Sequence, residues 1–520
     1  MAATKASLNG INVVLTTYHT VSAEWKSGAA TQASPLFMHQ WRRVILDEAH
    51  LIRNTNSRMT GAVCALESIS RWAVTGTPIQ NRLSDLATLV KFIRAYPYTD
   101  TKQFELDLVH LWKSGHDETA IQRLKRMSAC LILRRPKGTI SLPPKHDKLC
   151  AVEFTPDERI AYNKMRQRVI AKIDSALSQD SGCTKQSHTT VYHNALQQIE
   201  SLRLFCNLGL GYDARHDITE QDSTPNNYEW VHRAQHMFNL QWQEASIACL
   251  GCSSTCEMDY SITDQGYSEG FRPRYFECLQ FTCSDCVRRS AEVNRTLCCG
   301  HKPSCISAPI STDISNIEHL PFPGVVEKSP TDSLPSKVRV LIADLKRQPP
   351  GVKSIVFSTW RMTLRVVEQA LDTAGKSCVR FDGSVSHKER ELAVERFRKD
   401  AATSIMLLTL SCGAVGLTLT VATRVYLMEP HWNPNLEEQA LARVYRIGQT
   451  WEVTTIRLYI RDSFEERVME VQQTKKQLSG LILSPHDGDR WDDSLAGLEV
   501  SPSSIPRDII GPVRLTTNFE

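Results

Sequence analysis

The sequence predicts an α/β fold with two parallel-sheet lobes separated by a helical and cysteine-rich insertion. Two observations predict the lobes: short β-rich apolar runs alternate with helical patterns in residues 1–100, and the same alternation returns from Ser336. A third observation defines the insertion, because at least seven of the sixteen cysteines lie within residues 249–305. At 520 residues, the chain is long enough for about three domains.

The first lobe is predicted from three short strands, INVVLTTY, RRVILDEAH and RWAVTGTP, each ending in polar or turn residues. RMTGAVCALESI between them has helical spacing. Residues 101–210 are predicted to be helical. One helix start is explicit there, since Thr155 can act as N-cap, Pro156 occupies the first helical position and Glu158 completes a capping box.

The second lobe is predicted from KSIVFSTW, SIMLLTL and RVYLMEP as strands, with VRVLIADLKR and TLRVVEQALDTA as helices. A proline- and serine-containing linker precedes it, and the sequence after Ser484 is rich in Pro, Asp, Ser and Gly. We predict six segments: a first lobe at 1–135, a helical region at 136–245, a cysteine-rich insertion at 246–308, a linker at 309–335, a second lobe at 336–483 and a mobile tail at 484–520.

Composition narrows the class of protein. The net charge of +4 is too small to predict a nucleic-acid partner from bulk charge, so such binding must come from local patches. No apolar run reaches the roughly 18 residues of a membrane helix, so no membrane partner is expected. The N-terminal apolar run is too short for a secretory signal. The crowded cysteines are therefore expected to bind metal in preference to forming disulfides.

The stretch VILDEAH, residues 44–50, places two carboxylates directly after an apolar strand. Ligands of open parallel sheets bind at the carboxyl ends of strands. Asp47 could hold Mg²⁺ there through water, and Glu48 could polarise an attacking water molecule. Taken alone, the four residues DEAH could equally be the solvated start of a helix.

Further motifs follow in a fixed order: AVTGTPIQN, LILRRPKG, SIVFSTW, RFDGS, LTLSCGAVGLTLT and EPHWNPNLEEQALARVYRIGQ. In the last of these, Arg443 and Arg446 are three residues apart and are expected to share one helix face, which would suit a triphosphate in its transition state. Together these motifs resemble the Swi/Snf family of DNA-dependent ATPases of the second helicase superfamily, over roughly residues 10–210 and 336–475.

The resemblance implies two RecA-like lobes with ATP between them and duplex DNA across both, and it implies ATP and Mg²⁺ as cofactors. Catalytic roles would fall on Asp47, Glu48, Arg443 and Arg446. Nucleotide contacts would fall on His50, Gly413, Gly416 and Gln439. The residues expected to contact DNA or couple it to the nucleotide are Gly76, Thr77, Arg134, Arg135, Lys137, Ser358, Thr359, Trp360, Asp382, Gly383 and Trp432. Ala442 and Thr418 depart from the residues usual in the family.

A basic stretch is a second reason, apart from the family resemblance, to expect contact with DNA. Between Arg123 and Lys148 there are eight Lys or Arg residues and one acid, Asp147. Such density favours contact with phosphates without readout of bases. A solvated helix flank is the plainer interpretation. The expected partner is double-stranded DNA of any sequence, and nuclear residence follows from the family.

Two Cys-x₂-Cys pairs have the spacing of zinc ligands: Cys249 with Cys252, and Cys283 with Cys286. The block resembles the RING finger inserted in the helicase-like transcription factor and post-replication-repair subgroup. Gln280 stands where a RING finger has histidine, so the second Zn²⁺ site would be damaged or rewired. Its candidate ligands are Cys278, Cys298, Cys299, His301 and Cys305. Reduced thiols without metal are the alternative.

The phosphate loop of a nucleotide-driven motor reads G-x-x-x-x-G-K-[ST]. The only Gly-Lys-Ser of this sequence is Gly375–Ser377, which lies in the second lobe and lacks the first glycine of the pattern. We therefore expect an incomplete first lobe and negligible ATP hydrolysis by these 520 residues alone. The expected cause is a truncated gene sequence, with an ATPase-dead remnant as the alternative.

Three functions are thus expected in order of preference. The first is an ATP-dependent DNA translocase of chromatin remodelling or DNA repair. The second is a DNA- and partner-binding remnant without ATPase activity, which absence of the phosphate loop would favour. The third is a RING-type ubiquitin ligase on a motor scaffold, which an intact second zinc site would favour. Nucleosomes and a ubiquitin-conjugating enzyme are the further expected partners.

Overall fold

A computed structural model gives the fold. It describes residues 10–25, 34–55, 57–79, 83–110, 118–134, 139–178, 199–212, 230, 234–235, 237–238, 241, 247, 249–251, 271–278, 280–292, 297, 299, 305–312, 334–382, 387–413 and 416–483. No helix in this part of the chain combines the length and apolarity that crossing a membrane would need.

The chain order of elements confirms a parallel α/β fold. The helices are α1 Tyr18–Glu24, α2 Pro35–Met38, α3 Arg58–Ala65, α4 Ser84–Phe92, α5 Thr101–Phe104, α6 Glu118–Leu131, α7 Pro156–Ser178, α8 (199–208), α9 Ser284–Glu292, α10 Ser336–Lys346, α11 Arg361–Thr373, α12 His387–Lys399, α13 Leu410–Gly413, α14 Pro434–Leu441 and α15 Phe464–Leu483. The strands are β1 Trp41–Leu46, β2 Ser68–Ala73, β3 Lys145–Val152, β4 Arg274–Phe276, β5 Phe281–Thr282, β6 Ser307–Pro309, β7 Ser354–Ser358, β8 Cys378–Phe381, β9 Ile405–Thr409, β10 Arg424–Leu427 and β11 Val453–Ile460.

The first lobe has a two-stranded parallel sheet, β1 beside β2, in the described part of the chain. One sheet face packs on helices through a core that includes Leu46, Val63 and Phe92. On the other face, the paired Ile45 and Trp72 are 60% and 54% exposed.

The strand predicted at INVVLTTY is not formed. Residues 10–17 have no regular structure, and Leu15 is 92% exposed. A β-rich run becomes a strand only where a neighbour offers backbone partners, and none of the described residues does so here.

The second lobe is a six-stranded parallel sheet in the order β3-β11-β10-β7-β9-β8. The central strands β7 and β9 are buried at every residue, as expected for strands covered by helices on both faces. One face packs on α7, α10 and α11, with Leu341, Leu371 and Val356 in the core. The other face is filled by residues such as Phe397, Leu419 and Val444.

The edge strand β3 corrects the sequence prediction, which placed residues 136–245 in a separate helical region. Lys145–Val152 pairs with β11 along its whole length, from Val453 to Ile460. The segment KHDKLCAV has no strand-like alternation, and four of its eight residues are exposed. Its conformation comes from pairing with a strand some 300 residues later in the chain.

The capping box of α7 is confirmed. The Thr155 backbone N–H donates to Glu158 Oε2 at 2.9 Å, and the Glu158 N–H donates to Thr155 Oγ1 at 3.3 Å. Glu158 is buried and also accepts from the Ser336 backbone N–H at 3.1 Å, so the same carboxylate ties the start of α10 to the start of α7.

The cysteine-rich region has a small three-stranded antiparallel sheet, β5-β4-β6. The helix α9 follows β5 in the chain and contributes Cys286 to the same core. Its core contains Trp230, Phe238, Tyr275 and Phe281. The indole of Trp230 stacks on the Tyr275 ring with centroids 6.1 Å apart. This region is therefore a packed unit with its own apolar core.

Candidate functional site

The two acids of VILDEAH lie where the sequence predicts, at the carboxyl end of β1. The Glu48 backbone N–H donates to Asp47 Oδ1 at 3.0 Å. Glu48 has φ of +48°, in the left-handed region that is costly for a residue with a side chain. The turn is held because the Ala49 N–H donates to the Val74 carbonyl at 2.9 Å, at the end of β2.

His50 lies beside Glu48. Its Nδ1 is 3.2 Å from Glu48 Oε2 and 3.4 Å from Thr75 Oγ1. Burial lowers the pKa of His50, and the Glu48 carboxylate partly opposes this. The Tyr18 hydroxyl donates to the Asp47 carbonyl at 2.7 Å, and burial raises its pKa. The imidazole thus contacts the Glu48 carboxylate and the phenol holds the Asp47 backbone, without adding positive charge at neutral pH.

The second lobe brings Arg443 to this site. Arg443 Nη2 lies 3.7 Å from Glu48 Oε1, although the two residues are almost 400 positions apart in sequence. The side chain of Arg443 is 16% exposed and that of Glu48 is 40% exposed, so the pair is partly shielded from water. The acid and the guanidinium predicted to act on one phosphate group therefore face each other across the lobes.

Arg443 and Arg446 do not share a helix face, which corrects the sequence prediction. The helix α14 ends at Leu441, and both arginines lie in the turns that follow. The Arg443 carbonyl accepts from the Leu419 backbone N–H at 2.9 Å, so a bond that would continue the helix goes to a neighbouring loop instead. The three-residue spacing of the arginines does not indicate that the helix ends before them.

Arg446 contacts a different feature of the second lobe. Its Nη1 donates to the Leu417 carbonyl at 3.2 Å and to Thr418 Oγ1 at 3.1 Å. These residues follow Gly416, whose φ of +41° suits glycine. Gly413 ends α13 just before that segment. Arg446 holds the loop, whereas Arg443 reaches the acid.

Two more contacts join the lobes. Gln439 Nε2 donates to Thr77 Oγ1 at 3.3 Å, and Asn435 Nδ2 donates to the Ile79 carbonyl at 3.2 Å. Thr77 is buried, and its backbone N–H donates to Thr75 Oγ1 at 3.1 Å. Gly76 has open space where a Cβ would lie. The AVTGTP turn is thus in direct contact with α14, one turn of chain before Arg443.

These contacts have the arrangement of a nucleotide site between two lobes, and comparison with known proteins gives the family. Residues 1–208 match the SNF2-related domain, and residues 336–448 match the helicase conserved C-terminal domain, together more than half of the chain. The chain belongs to the SNF2-related family. The helicase-like resemblance of the motifs is confirmed.

Several relatives are similar over 90–91% of the SNF2-related chain. A putative SWI/SNF-related matrix-associated actin-dependent regulator of chromatin, subfamily A member 3-like 1, from Arabidopsis thaliana is 33% identical, and 51% of its length is covered. DNA repair protein RAD5B from the same plant is 30% identical, with 36% covered. The human helicase-like transcription factor is 29% identical, with 46% covered. The chain thus spans about half or less of the length of these relatives.

Three of the residues predicted to contact DNA or couple it to the nucleotide have buried side chains. Ser358, Trp360 and Asp382 are 0%, 2% and 0% exposed in this SNF2-related chain. Ser358 Oγ donates to Glu429 at 3.1 Å, and Asp382 pairs with Arg380. A sequence motif can identify such residues, but it does not show whether their side chains are buried. A coupling role for them stays a prediction.

The other predicted DNA residues are more varied. Trp432 is half-buried, and its Nε1 donates to Glu200 Oε1 at 2.9 Å. Thr359 donates its backbone N–H to the Glu429 carboxylate. Arg134 is exposed. Arg135, Lys137 and Gly383 lie outside the described residues.

The basic stretch is divided between two elements. Arg123 and Arg126 are exposed on α6, whereas Lys145 and Lys148 belong to β3 of the second lobe. Lys145 Nζ is 3.1 Å from Asp147 Oδ2, so part of its charge is already paired. A single basic helix face is therefore not formed, and phosphate contact by this stretch stays a prediction.

Sequence reasoning missed a buried polar network that ties α8 to the second lobe. Lys337 Nζ, fully buried, donates to Glu465, to Asn207 Oδ1 at 2.9 Å and to the Met428 carbonyl at 2.8 Å. Asn207 Nδ2 in turn donates to Glu429 Oε2 at 2.7 Å. One signal was available, since Lys337 interrupts the apolar side of α10.

Arg203 belongs to the same surface of α8 and is 1% exposed. Its guanidinium lies between two indoles, 5.0 Å from the Trp360 ring centroid and 5.2 Å from that of Trp432. It also donates to the Pro430 carbonyl at 2.7 Å and to the Glu200 carboxylate. Trp360 and Trp432, which were predicted to contact DNA, thus pack against the Arg203 guanidinium.

The cysteine block forms two clusters. The sulfurs of Cys249, Cys283 and Cys286 lie within 4.8 Å of one another, and the Cys283 N–H donates to Cys249 Sγ at 3.3 Å. A Cβ at Gly251 would be 2.9 Å from Cys286 Sγ, so the knuckle needs glycine there. The second cluster contains Cys278, Cys299 and Cys305. Cys252, Cys298 and His301 lie outside the described residues.

The first cluster gives a metal-content prediction. We expect Cys283→Ser to lower the zinc content of the purified protein by one equivalent, because a tetrahedral site loses one thiolate ligand. Zinc would be measured by elemental analysis beside Cys412→Ser, which removes a thiol of the second lobe. Equal zinc in wild type and Cys283→Ser would contradict the assignment.

Proposed function

We propose that the chain forms the coupling part of an ATP-dependent translocase that moves along double-stranded DNA in DNA repair or chromatin remodelling. The observation that carries the proposal is the approach of Arg443 to Glu48, 3.7 Å across the two lobes. A guanidinium supplied from one lobe to an acid of the other is the arrangement that makes hydrolysis depend on lobe closure.

The roles follow from the geometry. Asp47 would hold Mg²⁺, which neutralises developing phosphate charge, and Glu48 would polarise the attacking water. Arg443 pairs with Glu48 in the structure. A γ-phosphate would compete for Arg443 and release the carboxylate for the water. Arg446 would act indirectly, because it fixes the loop at Leu417 and Thr418.

Coupling to DNA would pass through the second interlobe contact. Gln439 and Thr77 are hydrogen-bonded, and Thr77 belongs to the turn that carries Thr75, the neighbour of His50. A shift of α14 on the first lobe would therefore reach Glu48 through a chain of contacts that runs from Thr77 to Thr75 and His50. This supports a role of the AVTGTP turn in coupling.

The proposed partner is duplex DNA bound through its phosphates, and the proposed location is the nucleus. The relatives named above as a regulator of chromatin and as a DNA repair protein support both. Binding of nucleosomes and of a ubiquitin-conjugating enzyme stays a prediction.

The test measures ATP hydrolysis by the protein in the form in which the cell expresses it, with and without duplex DNA. We expect DNA to stimulate hydrolysis, and Glu48→Gln to abolish it while DNA binding persists, because the amide cannot polarise water. Glu67→Gln is the matched control, since Glu67 is an exposed first-lobe acid paired with Arg94. Absence of DNA-stimulated hydrolysis would overturn the proposal in favour of a binding protein.

A further inference from the structure

The second cysteine cluster is the feature that the proposed function does not use. The sulfurs of Cys278, Cys299 and Cys305 lie within 4.8 Å of one another. Thiolates around one zinc ion are about 3.8 Å apart, because each Zn–S bond is about 2.3 Å long and the geometry is tetrahedral. The three sulfurs are therefore close to ligand positions, and none of the three forms a disulfide.

Backbone amides support the sulfurs of this cluster. The Cys305 N–H donates to Cys299 Sγ at 3.3 Å, and the Gln280 N–H donates to Cys278 Sγ. The first cluster has the same kind of bond, from the Cys283 N–H to Cys249 Sγ. The second cluster thus repeats the arrangement of the first.

Gln280 supplies the decisive observation. The Phe276 N–H donates to the Gln280 carbonyl at 2.8 Å, which closes the turn that carries Cys278 and brings Gln280 back beside it. Gln280 Oε1 is buried and accepts no hydrogen bond in the described part of the chain. A buried amide oxygen without a partner is unfavourable, so this atom calls for a ligand that the protein chain itself does not provide.

We propose that Cys278, Cys299 and Cys305 bind one zinc ion together with Gln280 Oε1 as the fourth ligand. The second site then binds zinc, with one of the four usual ligands replaced by glutamine. An amide oxygen is neutral, as is the imidazole of a RING finger at this position, so three thiolates and Zn²⁺ give a net charge of −1 in both cases. The replacement changes the donor atom and keeps the charge.

The donor atom determines how firmly the metal is held. Thiolates are soft ligands that select zinc, whereas a carbonyl oxygen is a harder donor that suits magnesium or calcium. The fourth bond is therefore the weakest of the four. The second site should release its zinc before the first, which has only thiolates among its described ligands.

The experiment measures zinc content and release in the full chain. We expect two zinc ions per chain, and two phases when EDTA removes them. Gln280→Ala should lose the fast phase and retain one zinc ion. Gln280→His should retain two ions and slow the fast phase by about tenfold or more. Gln235→Ala is the matched control, because Gln235 lies in the same unit and its side chain hydrogen-bonds to the Ser311 backbone.

Cobalt identifies the ligands directly. With Co²⁺ in place of zinc, the visible spectrum of wild type should report two sites that differ in thiolate number, and Gln280→His should shift only the band of the oxygen-containing site. Two outcomes would overturn the proposal. One is a Gln280→Ala protein with unchanged zinc content, release and cobalt spectrum. The other is loss of the fast zinc ion in His301→Ala while Gln280→Ala retains it. Should Gln280→Ala fail to fold, the histidine variant decides alone.

Discussion

Replacement of Arg443 by alanine should lower the rate of ATP hydrolysis by about 10³-fold while leaving the affinity for duplex DNA unchanged. The loss is expected because Arg443 is the second-lobe cation that reaches Glu48, and alanine leaves the transition-state charge without it. The measurement is steady-state hydrolysis, with DNA binding followed by fluorescence anisotropy, in the protein as the cell expresses it.

Two further variants make this result specific. Arg424→Ala removes an arginine of the same lobe that pairs with Asp344 at 3.4 Å, and hydrolysis should persist. Arg446→Ala should also lower hydrolysis strongly, but through the Leu417–Thr418 loop that it holds. Added guanidinium should therefore rescue Arg443→Ala better than Arg446→Ala. A near-normal rate in Arg443→Ala would exclude its assigned role.

Lys337→Ala should have the largest effect on stability. The ammonium is fully buried beside Glu465, which is also fully buried, and its removal leaves that carboxylate without its cation. Breaking such a pair costs about 3–5 kcal/mol. We expect the urea midpoint of the second lobe to fall accordingly, as measured by circular dichroism.

The matched control is Lys399→Ala, an exposed lysine that pairs with Glu395 one helical turn away, where the midpoint should barely change. Replacing both Lys337 and Glu465 by apolar residues of similar size should recover much of the loss, because no charge then remains buried. A midpoint in Lys337→Ala that matches the control would show that the buried pair does not stabilise the lobe.

The sequence was most informative where local chemistry decides the structure. The apolar runs SIVFS and IMLLT form the central strands, and Asp47 and Glu48 follow β1 as their position after VIL predicts. Within the cysteine block, the Cys283-x₂-Cys286 spacing predicted two neighbouring thiols, and their sulfurs lie within 4.8 Å of each other. In each case the signal lies within a few residues of the feature it predicts.

Features built from distant segments could not be read in this way. The strand β3 exists because β11 pairs with it, and KHDKLCAV alone gives no reason for a strand. Glu48 and Arg443 were each identified as members of a motif, but their contact depends on the fold of both lobes. The burial of Ser358 and Trp360 likewise depends on α8, whose Arg203 and Asn207 carry no local sign of the network they enter.

The position of β3 determines what carries the cysteine-rich unit. Because β3, α7 and α8 belong to the second lobe, the long segment between Tyr212 and Leu334 leaves from this lobe and returns to it. Both residues pack on the same core, so the unit is attached at two points to a single body. The covalent connection between the lobes is the short stretch between Leu131 and Lys145. Rotation of one lobe against the other would therefore move both attachment points of the cysteine-rich unit together with the second lobe.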